Sequence, residues 1–275
     1  MNHYLRRKTI IPCIDEKRGM TNTMDKEIAH KRLLHILCVF DELCSSNQVR
    51  YSLHGGTLLG AVRGNGFIPW DDDADVALSR ADYLRLVAAV EKLPEYHIRG
   101  NIKKQFCKID DPEIWVDLFV CDYITDNKFL QKVKLGLLTV LDIMRRDRKS
   151  MKLSNLEGYS RAKQLIYKVI YVVGKLFPRV WLTKLYLHIS EKWFLGDRKT
   201  VFRSSDHYVG RKKIFPAKWL ERSVRVSFMG KELPVLEEYD LLLKQCFGGD
   251  YMTPMVDDRS EKVHGFIRSE KRIEL

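Results

Sequence analysis

Four carboxylates stand within five residues at Asp71-Asp72-Asp73-Ala74-Asp75, and the residues around them are apolar or aromatic: Phe67, Ile68 and Trp70 before, Val76, Ala77 and Leu78 after. Like charges at this density repel, and an unpaired charge among apolar side chains is costly. A divalent cation relieves both problems. Mg²⁺ (or Mn²⁺) takes oxygen ligands and commonly shares them with substrate phosphates. On an extended chain alternate residues share a face, so Asp71, Asp73 and Asp75 are expected on one side, with Asp72 turned away. A further carboxylate, Asp117, interrupts the apolar run Trp115-Val116-Asp117-Leu118-Phe119. A neighbouring strand carrying Asp73 and Asp75 would give it a partner through a shared metal. Upstream, Gly55-Gly56-Thr57 breaks the chain where a helix could begin. Glycines allow close backbone approach to phosphate, and the free N–H groups of a helix N-terminus favour anions.

The remaining pattern organises around these features. Residues 24–47 carry a broad apolar helical face ended by Ser45-Ser46-Asn47. Val49–His54 reads as a strand, Thr57–Val62 as a helix behind the glycines, and Asp75–Leu78 as a strand. Ala81–Leu93 reads as a helix with Ser79 as N-cap. His97–Arg99, Gln105–Ile109 and Trp115–Cys121 read as strands. Short strands and turns follow from about residue 201, with a helix expected over Leu236–Phe247. This order implies a mixed sheet with helices packed on it. Four segments are expected: an N-terminal extension 1–23, a catalytic core 24–127, a helical insert 128–200, and a C-terminal part 201–275 that returns to the core.

Charge sets the insert apart. The chain of 275 residues has a net charge of +12, from 48 basic and 36 acidic residues. Between Lys128 and Thr200 there are 17 basic and 5 acidic residues, so this quarter carries the whole imbalance. Its apolar residues recur at helical spacing, and Tyr, Trp and Phe interleave with the basic residues. Basic amphipathic helices of this kind suit an anionic membrane surface, although a helical subdomain with solvated lysines has the same composition. No nucleic-acid motif is present, and no nucleic-acid partner is expected. No CxxC pair occurs among the six cysteines, so a structural zinc site is not expected and the thiols read as reduced core residues. The basic N-terminal stretch lacks the apolar core of a secretory signal, and no apolar run is long enough to span a bilayer.

Two stretches, Leu53-His54-Gly55-Gly56-Thr57-Leu58-Leu59-Gly60-Ala61-Val62-Arg63 and Gly66-Phe67-Ile68-Pro69-Trp70-Asp71-Asp72-Asp73-Ala74-Asp75, resemble the LicD/fukutin family of phosphotransferases, bacterial phosphocholine-transferase type. Val116-Asp117-Leu118-Phe119 with Asp122 resembles the family's third-carboxylate strand. The tail fits as well, through Phe215-Pro216, Phe228, Gly249-Asp250-Tyr251-Met252, Pro254, Arg259 and His264. His54 departs from the acidic or serine residue usual before the Gly-Gly, and Gly64-Asn65 replaces His-Lys.

The resemblance implies an α+β fold with a nucleotidyltransferase-like mixed β-sheet core flanked by helices, with the basic helical subdomain inserted. It implies metal-dependent transfer of a phospho-alcohol group, phosphocholine from CDP-choline as the best choice, to a hydroxyl of a cell-surface glycan such as lipopolysaccharide, releasing CMP. The partners implied are a CDP-activated alcohol donor and a glycan or lipid-linked glycan acceptor. The place implied is the cytoplasm, peripheral to the inner face of the membrane.

In this reading Asp71, Asp73, Asp75 and Asp117 hold the metal, and Asp73, Asp75 and Asp117 are catalytic. Gly55, Gly56, Thr57 and Arg63 bind the donor phosphates, Arg63 through its fork geometry. Trp70 bounds the alcohol or base pocket, and His264 contacts substrate. Two alternatives use the same residues differently: a nucleotidyltransferase that releases pyrophosphate from an NTP, and a membrane-associated scaffold without catalysis.

Overall fold

The computed structural model describes residues 26–69, 71–147, 160–206 and 208–253. Its central sheet has seven strands: β1 Ser52–Leu53, β2 Ala74–Ser79, β3 Tyr96–Arg99, β4 Lys104–Lys108, β5 Trp115–Ile124, β6 Thr200–Arg203 and β7 Ile214–Pro216. The order is β1-β2-β5-β4-β3, with β6 added along the end of β5 and β7 paired to β6. Only β2 and β5 run parallel; the other pairs are antiparallel. The sheet and the helices around it make the fold α+β.

A parallel pair needs a long crossover, supplied here by helix α3, Arg80–Val90, and the β3–β4 hairpin. Strands covered on both faces read as apolar runs. Val76, Ala77 and Leu78 of β2 and Val116, Leu118 and Val120 of β5 are accordingly buried. Ser79 caps α3 as its spacing predicts, accepting a hydrogen bond from the Asp82 amide.

Helix α1, Lys26–Ser46, buries Leu33, Ile36, Leu37 and Phe40 against the sheet. Phe40 meets Tyr51 and Phe106 edge-on, with centroids 5.0 and 5.3 Å apart. The C-terminal hairpin, β8 Ser223–Phe228 and β9 Lys231–Leu236, turns through Met229 and Gly230. Both turn residues have positive φ, the geometry that favours a tight hairpin. Phe228, Leu233 and Val235 enter the same core as α1, and helix α7, Tyr239–Phe247, adds Leu242 and Leu243.

Leu236 therefore ends a strand and does not open the last helix, because its side chain is drawn into the core beside β1. There the Ser52 hydroxyl accepts from the Leu236 amide. The strand expected over Val49–His54 shortens to two paired residues, since β1 has a partner only along β2.

Between β5 and β6 lie α4 Lys128–Arg145, α5 Arg161–Gly174 and α6 Arg179–Lys192. Helices α4 and α6 share a small core with the sheet's far end: Ile124, Leu138, Leu141, Leu182, Tyr186, Ile189 and Phe202. Among the described residues no helix is long and apolar enough to cross a membrane.

Candidate active site

The register of the parallel pair sets Asp75 of β2 directly beside Asp117 of β5. Asp73 precedes β2 by one residue. Ligand oxygens of Asp73, Asp75 and Asp117 all lie within 4.8 Å of one another. Three carboxylates at this separation are a group that can hold a metal ion through oxygen ligands. The electrostatics agree. Burial, reinforced by the charges of Asp73, Asp117 and Asp71, pushes the Asp75 carboxyl well above the usual range, with Lys103 opposing weakly.

Asp71 lies outside this trio. It is buried in the loop before β2, where its amide donates to the Ile68 carbonyl at 2.9 Å. Its own carbonyl accepts from His30 Nε2 of α1, also at 2.9 Å. Only residues from Ala74 onward are extended, so the alternation expected to align Asp71 with Asp73 and Asp75 does not extend back to it.

The glycines turn out to face carboxylates. Helix α2, Gly55–Gly64, starts with Gly55 at φ +54°. A β-carbon on Gly55 would collide with the Asp75 carboxylate, and one on Gly56 would lie 2.6 Å from Asp71 Oδ2. The two glycines clear room for the acids and lay the α2 N-terminus, with its partial positive charge, beside them. The Thr57 hydroxyl is buried and accepts from the Asp75 amide at 2.9 Å, and the His54 amide donates to the Asp75 carbonyl at 2.9 Å. Thr57 thus holds Asp75 in place.

Arg63 sits at the opposite end of α2, about 12 Å along the axis from Gly55 at 1.5 Å per residue. It donates to the carbonyls of Tyr251 and of Thr253, the latter at 3.1 Å. Its guanidinium fastens the C-terminal segment. Trp70 and His264, and with them Arg259, lie outside the described residues.

Several residues join the site that sequence alone did not single out. Gln105 of β4 faces Asp117 in the antiparallel register and donates to its Oδ1 at 2.9 Å. Lys103 Nζ lies 3.6 Å from Asp117 Oδ2 and is itself largely exposed. Behind the Gly-Gly turn, Arg203 of β6 donates to His54 Nε2 and lies 3.1 Å from Asp206 Oδ2. Burial, and next the Arg203 charge, holds the His54 pKa well below its ordinary value. His54 is thereby a neutral acceptor that props the turn from below. The antiparallel register and a contact 149 residues away leave no local trace in the sequence; the polar Gln105 in an otherwise strand-like run is the one available signal.

The fold and site define an α+β protein with three convergent carboxylates at the start of a parallel strand pair. Residues 48–133 match the LicD/FKTN/FKRP nucleotidyltransferase domain. Across 262 aligned residues the chain is 26% identical to the lipopolysaccharide cholinephosphotransferase LicD of Haemophilus influenzae, covering 84% of this chain and 92% of that protein. It is also 33% identical over 95 residues to an uncharacterized protein of Rickettsia prowazekii, covering 32% of each chain. An uncharacterized protein of Rickettsia typhi is 37% identical over 116 residues, covering 36% of this chain and 38% of that one.

Proposed function

We propose that this protein transfers a phospho-alcohol group, phosphocholine from CDP-choline as the first choice, to a hydroxyl of a cell-surface glycan such as lipopolysaccharide, and that it does so with a divalent cation. The observation that carries this reading is the convergence of Asp73, Asp75 and Asp117 on one point. The likeness to the Haemophilus enzyme over most of both chains supports the choice of group and acceptor.

In this reading Asp73, Asp75 and Asp117 hold Mg²⁺ or Mn²⁺, which when bound would offset the negative charge of a diphosphate donor. The acceptor hydroxyl oxygen forms a bond to the phosphorus that carries the alcohol. The bond from that phosphorus to the bridging oxygen breaks, and CMP leaves with the electron pair. The hydroxyl proton passes to a carboxylate of the cluster, Asp117 in our assignment. Gln105 fixes the rotamer of Asp117 for this role, and Thr57 fixes the backbone of Asp75. The α2 N-terminus adds a fixed positive potential beside the acids.

Product analysis tests the reaction. The protein is incubated with Mg²⁺, an acceptor lipopolysaccharide and CDP-choline, CDP-ribitol or CDP-glycerol in turn, with CTP in parallel. CMP release with one CDP-alcohol, abolished by EDTA, is expected. Pyrophosphate release from CTP, with no CMP from any CDP-alcohol, would replace this reading with nucleotidyl transfer.

A further inference from the structure

Helix α5 is amphipathic in the wrong direction for a helix that only packs inward. Of its fourteen residues only Gly174 is buried. Gly174 lies against the backbone of Met144 on α4, so close that a β-carbon would collide there. At 100° per residue, Leu165, Ile166, Val169, Val172 and Val173 fall on one arc of about 120° on the opposite side, and Leu176 follows in the turn after the helix. All six are exposed; Leu176 is 80%, Val172 63% and Leu165 62% accessible. The stripe continues around the turn into α6 through Phe177, which stacks on Trp181 at 5.7 Å. Both rings are also exposed.

One flank of the stripe is cationic. Arg161, Lys168 and Lys175 recur every seven residues and so line up along its edge. Lys175 also donates to the Arg146 carbonyl and sits 4.3 Å from the Tyr171 ring centroid, neither of which neutralises it. Apolar surface of this extent on a soluble domain marks an interaction site, and the partner must satisfy an apolar stripe and a row of cations together. A second copy of the same face would set positive charge against positive charge. An anionic bilayer offers acyl chains to the stripe and phosphate headgroups to the cations, with Trp181 at the interfacial level.

We propose that α5 and the turn into α6 lie in the surface of an anionic membrane, apolar stripe inward, with Arg161, Lys168 and Lys175 at the headgroups. Helices α4 and α6, whose apolar faces close the core beneath, carry α5 to that surface. The inference rests on exposure and charge alone and does not depend on the reaction proposed above.

Flotation of the full chain with vesicles decides it, without any activity measurement. Binding to phosphatidylcholine vesicles containing about 30% phosphatidylglycerol is expected at low salt, falling about tenfold on pure phosphatidylcholine. The Val169→Asp/Leu176→Asp double variant should lose binding about tenfold or more while keeping the wild-type unfolding temperature, since neither side chain is in a core. Arg161→Glu/Lys168→Glu gives an independent reading through the charges and should abolish the preference for anionic lipid. Absence of binding to the anionic vesicles, or binding that both double variants retain in full, overturns the proposal. So does a wild-type dimer, seen by sedimentation velocity, that Val169→Asp/Leu176→Asp converts to monomer, because the face would then belong to a second copy.

Discussion

At Asp75, burial and the charges of neighbouring acids act together against the ionised carboxylate. Its carboxylate is held against the Gly55 backbone while its neighbours are also acids. Neutralising it should therefore relieve the metal-free fold. For Asp75→Asn we expect the unfolding temperature in EDTA to rise by about 2–5 °C, while transfer falls by at least about a hundredfold. A fall in unfolding temperature together with retained transfer would refute this account of the residue. Gly55→Ala should act in the opposite sense on stability. A side chain at φ +54° costs about 1–2 kcal/mol, and its methyl group would also displace the carboxylate. Urea unfolding should show the loss, and transfer should fall with it. These residues differ in how visible they were beforehand. An acid inside an apolar run is conspicuous in any sequence, so Asp73, Asp75 and Asp117 stood out by type alone. Gly55 and Gly56 stood out too, yet their partners are the acids 15 and 20 residues later. Only the folded chain makes that pairing visible.

At the scale of elements, the site is a consequence of one register. Moving β2 against β5 by a residue would turn Asp75 to the other face and place an apolar side chain in the cluster. The helices and strands around it were legible from periodicity, because α1, α3, β2 and β5 each bury one consistent set of side chains. Strand pairing was not, since Gln105 reaches Asp117 and Arg203 reaches His54 through contacts that close only after distant segments meet. Helix α4 carries a separate test. Lys134 is fully buried and donates to the carbonyls of Tyr123 at 2.8 Å and Ser190 at 2.9 Å. Burial pushes its pKa down from 10.5 to about 8, with Asp122 opposing. Below pH 8 both folded and unfolded chains hold the proton. Between about 8 and 10.5 the unfolded chain keeps it and the folded chain sheds it, so the contribution to stability rises with pH across that window. Relative to Lys134→Met, the wild type should gain about 1–3 kcal/mol between pH 7.5 and pH 10 in denaturant unfolding. A difference that stays flat over this range would show that Lys134 keeps its charge in the fold.

Among the described residues, the basic helices and the carboxylate cluster occupy separate territories, and a buried knot ties the helices to the sheet. Asp122 of β5 accepts from Arg80 Nε at 2.8 Å and from the Arg80 terminal nitrogen at 2.7 Å, and the Ser190 hydroxyl of α6 also donates to it. Arg80 further lies 3.4 Å from Glu191. Burial alone would raise the Asp122 carboxyl, but the Arg80 fork and the hydroxyls of Ser190 and Ser204 hold it below the ordinary range. Removing it deprives the half-buried Arg80 guanidinium of its bidentate partner and leaves the Ser190 hydroxyl without its acceptor. Asp122→Ala should therefore cost about 3–5 kcal/mol and should loosen α6 from the sheet, seen as faster amide exchange across Arg179–Lys192. An unfolding free energy within about 1 kcal/mol of wild type would mean that the helices are held by their apolar core alone. The basic segment was visible in the sequence as a local excess of charge. Which of its helices faces outward was not, because the stripes of α4 and α5 look alike until one of them is covered.

The central claim is that the three carboxylates act through a divalent cation, and thermal unfolding with Mg²⁺ and CDP-choline tests it most directly. A ligand that binds only the folded state raises the unfolding temperature. The account predicts that Mg²⁺ stabilises the wild type, that CDP-choline adds to this only when Mg²⁺ is present, and that Asp75→Asn responds to neither. Equal stabilisation by CDP-choline in EDTA, or an Mg²⁺ response in Asp75→Asn as large as in the wild type, would contradict it.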